Sequence, residues 1–97
     1  MSDHIQTIVI GAHYDHLGYG GEGSLFRGDE KAIHNGADDN ASGVALMLNL
    51  ASKLRATNVN NNYLFIAFSG EEMGLLGSNY FVKNATIDVA KMNYMIN

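Results

Sequence analysis

The 97-residue sequence contains no cysteine, no proline and no tryptophan, and basic residues are scarce. The lack of cysteine excludes disulfides and thiolate ligands, so any zinc site must use histidine and carboxylate side chains. Six lysines and arginines stand against ten aspartates and glutamates, which leaves no basic stripe for nucleic acid. No apolar run is long enough to span a membrane. We therefore expect neither a nucleic-acid partner nor a membrane segment.

The length and composition fit one small domain at most. Hydrophobic residues make up 46% of the sequence, a content that argues against disorder. A chain of this size buries only about two thirds of the surface exposed in its unfolded state. The predicted core is therefore real but marginal.

The apolar residues predict a strand-helix-strand-helix-strand order. Residues 42–56 carry apolar side chains at helical spacing, with Asn40 or Ser42 as the N-cap, and a shorter helix follows Glu72. Three short apolar runs with little polar alternation are typical of strands buried on both faces; they are residues 8–12, 63–68 and 92–96. This order predicts an α/β fold with a parallel or mixed sheet between two helical layers.

Potential metal ligands follow the predicted strands. Parallel sheets bind ligands beyond the carboxyl ends of their strands, and six side chains fall near that edge: His13, Asp15, Asp38, Asp39, Glu71 and Glu72. Helix capping is the alternative interpretation of the aspartate pair, but capping needs only one carboxylate. Four carboxylates gathered at one edge would repel one another unless cations compensated their charge. The pattern therefore favours a metal site.

Spacing assigns different functions to some of these residues. In an extended segment His13 and Asp15 lie on the same face, so we expect the Asp15 carboxylate to accept the free ring N–H and to orient His13 as a ligand. Asp39 precedes a helix N-terminus, whose partial positive charge keeps a carboxylate ionised.

Three sequence blocks resemble the co-catalytic dizinc aminopeptidase family, which also includes glutaminyl cyclases, glutamate carboxypeptidase-like enzymes and a non-catalytic receptor ectodomain. The blocks are HYD at 13–15, GADDNASG at 36–43 and SGEEMGLLGS at 69–78. The resemblance implies that His13 binds one zinc, Asp39 bridges two zincs and Glu72 binds the second. It further implies that Glu71 is the general base, that Asp15 orients His13 and that the Asp39-Asn40 peptide is a candidate for the cis form.

The same resemblance implies a zinc exopeptidase with a peptide substrate, most simply an aminopeptidase. Two further ligands of the family have no counterpart in residues 1–97, so we expect a partial catalytic domain, incomplete at both ends. Alone, this chain is expected to be inactive, to hold zinc weakly or not at all, and to self-associate through exposed strand edges. A non-catalytic fragment or interaction module of the same fold is the alternative. A periplasmic or secreted parent protein is suggested by the resemblance only.

The 22-residue segment 17–38 is long for a connection, and we expect it to rim the site. Within it, residues 18–23 fit the G-x-G-x-x-G dinucleotide pattern, but no helical period opens at their end, so a loop is predicted. The sequence does not decide whether His16 and His34 are additional metal ligands or ordinary loop residues.

Overall fold

The computed structural model describes residues 6–57 and 60–97 of the chain. The predicted strand-helix-strand-helix-strand order is confirmed, with a short 3₁₀ turn before the last strand. The elements are β1 (Thr7–His13), α1 (Ala41–Thr57), β2 (Asn62–Phe68), α2 (Leu76–Lys83), the 3₁₀ turn (Val89–Lys91) and β3 (Met92–Ile96). Neither helix in these described ranges is long and apolar enough to be a membrane span.

The three strands form one parallel sheet in the order β2-β1-β3, with β1 at its centre. The last residue of β1, His13, lies opposite Phe68, the last residue of β2. The amide of Tyr14 extends this pairing by donating to the Phe68 carbonyl at 3.0 Å. Residues that follow β1 and β2 therefore leave the sheet side by side.

The apolar core lies between α1 and one face of the sheet. Alternate residues of β1, Ile8, Ile10 and Ala12, form a buried cluster with Met47, because side chains two apart share a face of a strand. Packed against this cluster are Val44, Leu50, Leu54, Tyr63 and Phe65. Leu48, an apolar residue of the same helix, is exposed and does not join this core.

The second helix lies over the opposite face of the sheet. Phe68 of β2 packs edge to face with Phe81 of α2, with ring centroids 6.5 Å apart. Gly11 makes room on this face: an added Cβ would lie 2.7 Å from Met95 Cε and 2.8 Å from Phe68 Cε2. The two helices thus cover opposite faces, as a three-layer α/β arrangement requires.

The start of α2 differs from the prediction that a helix follows Glu72 directly. Backbone N–H groups of Gly74 and Leu75 both donate to the Glu71 carbonyl at 3.0 Å and close a tight turn. Gly74 has φ 105° and Leu75 has φ 59°, both in the left-handed region. Because these values are incompatible with a right-handed helix, α2 begins only at Leu76.

The long segment between β1 and α1 is held together by contacts among its own residues. Gly18 and His34 form an isolated antiparallel bridge, and the Oγ of Ser24 lies 2.6 Å from Nε2 of His34. The same hydroxyl accepts the backbone N–H of Phe26 at 3.1 Å. His34 is therefore engaged within the loop.

Candidate metal centre

The end of β1 brings His13 against two carboxylates. Its Nε2 atom lies 3.2 Å from Oδ1 of Asp39 and 3.7 Å from Oε2 of Glu71. Potential ligand atoms of His13, Asp39 and Glu72 all lie within 4.8 Å of one another. The structure thus gathers the three residues that sequence reasoning assigned as metal ligands, although they come from three distant segments.

The orientation of His13 is fixed by the backbone of Asp15 rather than by its carboxylate. The Nδ1 atom of His13 lies 3.1 Å from the Asp15 carbonyl oxygen, whereas the nearest Asp15 carboxylate oxygen is 3.6 Å away. The carbonyl can only accept, so this contact assigns the ring proton to Nδ1. Nε2 is left facing Asp39, as the nitrogen of a metal-binding histidine would be.

The Asp15 carboxylate instead holds the glutamate turn. Its Oδ1 accepts the N–H of Glu71 at 3.1 Å, and its Oδ2 accepts the N–H of Glu72 at 3.2 Å. Partial burial raises the pKa of Asp15, but the backbone hydrogen bonds from Glu71 and Glu72 lower it by more. The pKa of Asp15 therefore lies below its usual value. An ionised Asp15 thereby ties the segment after β1 to the segment after β2.

Asp39 lies directly before α1 and is not used as the helix cap. The side-chain oxygen of Asn40 accepts the N–H of Gly43 at 3.1 Å and supplies that cap. The Asp39-Asn40 peptide is cis. The Asp39 side chain is 65% exposed, so its carboxylate is open to solvent beside His13.

The adjacent glutamates face different imidazoles. Oε2 of Glu71 is directed at His13, whereas Oε1 of Glu72 lies 2.9 Å from Nδ1 of His16. His16 also approaches Asp39, with 4.0 Å between Nδ1 and Oδ2. Sequence reasoning left the function of His16 open, and the structure brings it to the carboxylates while His34 stays in the loop.

Two buried atoms at this site indicate that a cation fits. Within the described residues, Nδ1 of His16 and Oε1 of Glu72 are buried and have no hydrogen-bond partner. Buried polar atoms nearly always have a hydrogen-bond partner, and the binding of an ion is one recognised reason for an exception. Imidazole nitrogens with carboxylate oxygens form a donor set that suits Zn²⁺. The residues present therefore fit a divalent metal.

The sequence model that describes peptidase family M28 matches residues 2–97 of this chain. The chain belongs to peptidase family M28. A probable leucine aminopeptidase of Trichophyton verrucosum is 36% identical over 97 residues, covering 94% of this chain and 24% of that protein. Aminopeptidase YwaD of Bacillus subtilis is 34% identical over 81% of this chain, and aminopeptidase Y of Saccharomyces cerevisiae is 33% identical over 81%.

This M28 chain spans about a quarter of the length of the first of these relatives, and 14% and 12% of the other two. No solved structure matches the chain at a significant level.

A cavity of about 480 Å³ opens beside the metal centre of this M28 chain. Its polar lining includes His13, Asp39 and Glu71, and its apolar lining includes Leu46 and Ile96. Glu72 does not line this cavity and instead lines a second one together with His16. A molecule entering this cavity would therefore meet Glu71 before Glu72.

Proposed function

We propose that the protein carrying this chain is a zinc-dependent exopeptidase, and specifically an aminopeptidase. The observation that carries the proposal is the convergence of His13, Asp39 and Glu72, whose ligand atoms lie within 4.8 Å. Membership of peptidase family M28 supports the reaction class. The names of the related aminopeptidases support the preference for a free N-terminus.

We propose that His13, Asp39 and Glu72 would hold two zinc ions, with Asp39 as the residue that would serve both. Asp39 suits this position because its Oδ1 faces His13 and its Oδ2 faces the opposite side, towards His16. When bound, zinc supplies Lewis acidity toward the peptide carbonyl and makes water acidic enough to attack near neutral pH.

Glu71 is proposed as the general base. Its carboxylate is more exposed than that of Glu72, at 37% against 18%, and it lines the cavity that opens to solvent. The base takes a proton from the attacking water and delivers it to the amine nitrogen as the C–N bond breaks. Such proton transfer typically contributes about 10²- to 10⁴-fold in rate.

Asp15 is proposed to position both glutamates without touching the substrate. It binds their backbone N–H groups and leaves their side chains to the metal centre. Its carbonyl also fixes the tautomer of His13. One residue thereby orients one proposed ligand and the turn that carries the base.

The experiment compares leucine 4-nitroanilide with its N-acetylated counterpart, using the protein that carries this chain. We expect hydrolysis of the free-amine substrate only, loss of activity on removal of metal by a chelator, and recovery on addition of Zn²⁺. Equal hydrolysis with and without the chelator would overturn the proposal. Cleavage of a substrate with a free carboxyl terminus in place of a free amine would reassign the protein as a carboxypeptidase.

A further inference from the structure

His16 is held with its Nδ1 edge toward the metal centre. The Cγ–Cδ2 side of the ring packs against the backbone of Gly36, where an added Cβ would collide with both atoms. Gly36 has φ 57°, a conformation that favours glycine. The close approach of this backbone fixes the imidazole without any hydrogen bond to its Nδ1 atom.

The contact between His16 and Glu72 has the geometry of two ligands on one cation. Nδ1 and Oε1 lie 2.9 Å apart, yet neither atom has a hydrogen-bond partner within the described residues. The contact is therefore short without being directed along the ring N–H. Two ligands each about 2.1 Å from a tetrahedral zinc are about 3.4 Å from one another, so atoms 2.9 Å apart are both within reach of one ion. In that arrangement both lone pairs aim at the ion and not at each other.

The Asp39 carboxylate divides the centre into two sides. Its Oδ1 lies 3.2 Å from Nε2 of His13, and its Oδ2 lies 4.0 Å from Nδ1 of His16. Each side also receives one glutamate, Glu71 beside His13 and Glu72 beside His16. Each side thus has an imidazole of its own.

We propose that His16 is a metal ligand, which binds through Nδ1 the cation that Glu72 and Asp39 also hold. This inference rests on the metal centre of the proposed function and adds a ligand to it. His16, Glu72 and Asp39 supply three donors to the second position and leave a place for water, substrate or a further ligand. The competing explanation, in which His16 only orients Glu72 by a hydrogen bond, makes different predictions for the two ring nitrogens.

Nitrogen NMR of the protein that carries this chain, with ¹⁵N in its histidines, separates these explanations. On titration with Zn²⁺ we expect His13 to bind through Nε2 and keep its Nδ1 proton. His16 is expected to show the reverse pattern, with metal on Nδ1 and the proton on Nε2. An His16 that keeps an Nδ1 proton in the zinc-loaded chain would overturn the proposal.

Zinc affinity, measured by competition with a chromogenic chelator, provides the second readout. His16→Ala should weaken the binding of one of the zinc ions. The loss of affinity should exceed the roughly 10- to 100-fold that a residue hydrogen-bonded to a ligand contributes. His16→Asn keeps a short side chain that can hydrogen-bond Glu72, and it should not restore that affinity. His34→Ala is the matched control, because His34 lies in the same loop but bonds Ser24.

Recovery of zinc affinity in His16→Asn would show that His16 only positions Glu72. Unchanged affinity in His16→Ala would likewise overturn the inference but leave the proposed metal centre intact. A wild-type protein, carrying this chain and showing well-dispersed amide signals, that binds no Zn²⁺ would overturn both. The amide spectra of the variants show whether each has kept the wild-type fold.

Discussion

Glu71 and Glu72 are neighbours in sequence, share one anchor and nevertheless occupy different environments. Both backbone N–H groups are held by the Asp15 carboxylate. The side chains then diverge: Glu71 faces His13 and the open cavity, whereas Glu72 faces His16 and is half as exposed. A single turn can therefore offer one carboxylate to solvent and substrate and another to a metal.

The largest expected difference between the two glutamates is in turnover. In the protein that carries this chain, Glu71→Ala should lower kcat by about 10²- to 10⁴-fold, because the proposed general base is lost. Zinc content and KM should change little, since neither depends on proton transfer. Steady-state kinetics together with elemental analysis check this, and loss of zinc from this variant would contradict the assignment.

Glu72→Ala should primarily reduce metal binding. Removal of an anionic ligand is expected to weaken zinc binding by about 100-fold or more, with activity recovering partly at high Zn²⁺. Chelator competition measures the affinity. If this variant keeps its zinc while Glu71→Ala loses it, the functions of the two glutamates are the reverse of those assigned here.

Asp15→Asn should disturb both glutamates together. The amide offers only one oxygen to two N–H donors, so we expect a loss of about 1 to 3 kcal/mol in the free energy of unfolding by urea. Asp88→Asn is the control, because Asp88 accepts a single exposed N–H, from Ala90. This substitution should lower the free energy of unfolding by less than Asp15→Asn does.

The Asp15→Asn deficit should also depend on pH. Because the pKa of Asp15 is lowered in the folded chain, its stabilisation is complete above the unfolded pKa of about 4 and is lost on further acidification. The deficit relative to wild type should therefore shrink in acid. A constant difference between the two proteins from neutral pH down to strong acid would contradict the assigned hydrogen bonds.

The smallest effect is expected from Gly36→Ala. A side chain at this left-handed position costs about 1 to 2 kcal/mol and displaces His16, so zinc affinity should fall on the Glu72 side alone. Gly18→Ala is matched, because Gly18 has φ 60° and nothing within 4 Å of an added Cβ. Gly36→Ala should lose more stability than Gly18→Ala on urea unfolding, because only its Cβ collides with other atoms, and only Gly36→Ala should weaken zinc binding. Equal zinc affinity in the two would mean that the position of His16 is unimportant.

Most of the fold was predictable because the strands and the first helix carry uniform apolar patterns. β3 has the predicted bounds, and β1 and α1 each extend one residue further at both ends. The start of α2 was missed because the φ values of Gly74 and Leu75 delay the helix. The spacing of apolar residues in the sequence does not predict those backbone angles. Nor does it predict the β2-β1-β3 order of the sheet.

The candidate site was predictable only in part from the ends of the strands, which place His13 and the two glutamates at one edge of the sheet. The choice of Asp39 and Glu72 as ligands beside His13 came from the family resemblance, and the structure brings the three together. The contact of His16 with Glu72 and the bonding of the Asp15 carboxylate to backbone amides were not predicted. Both depend on how loops turn after the strands, and Gly36 was the only local sign that another group approaches the backbone there.

The turn that carries the two glutamates has a thermodynamic consequence. Its backbone is closed by hydrogen bonds from Leu76 to Gly70 at 3.0 Å and from Gly77 to Ser69 at 2.9 Å, in addition to the bonds to Asp15. Fixing one residue's backbone costs about 1 to 2 kcal/mol of conformational entropy. Here that loss accompanies folding, so an arriving ion has only side-chain rotamers to order. Preorganisation of this kind raises affinity without adding a contact.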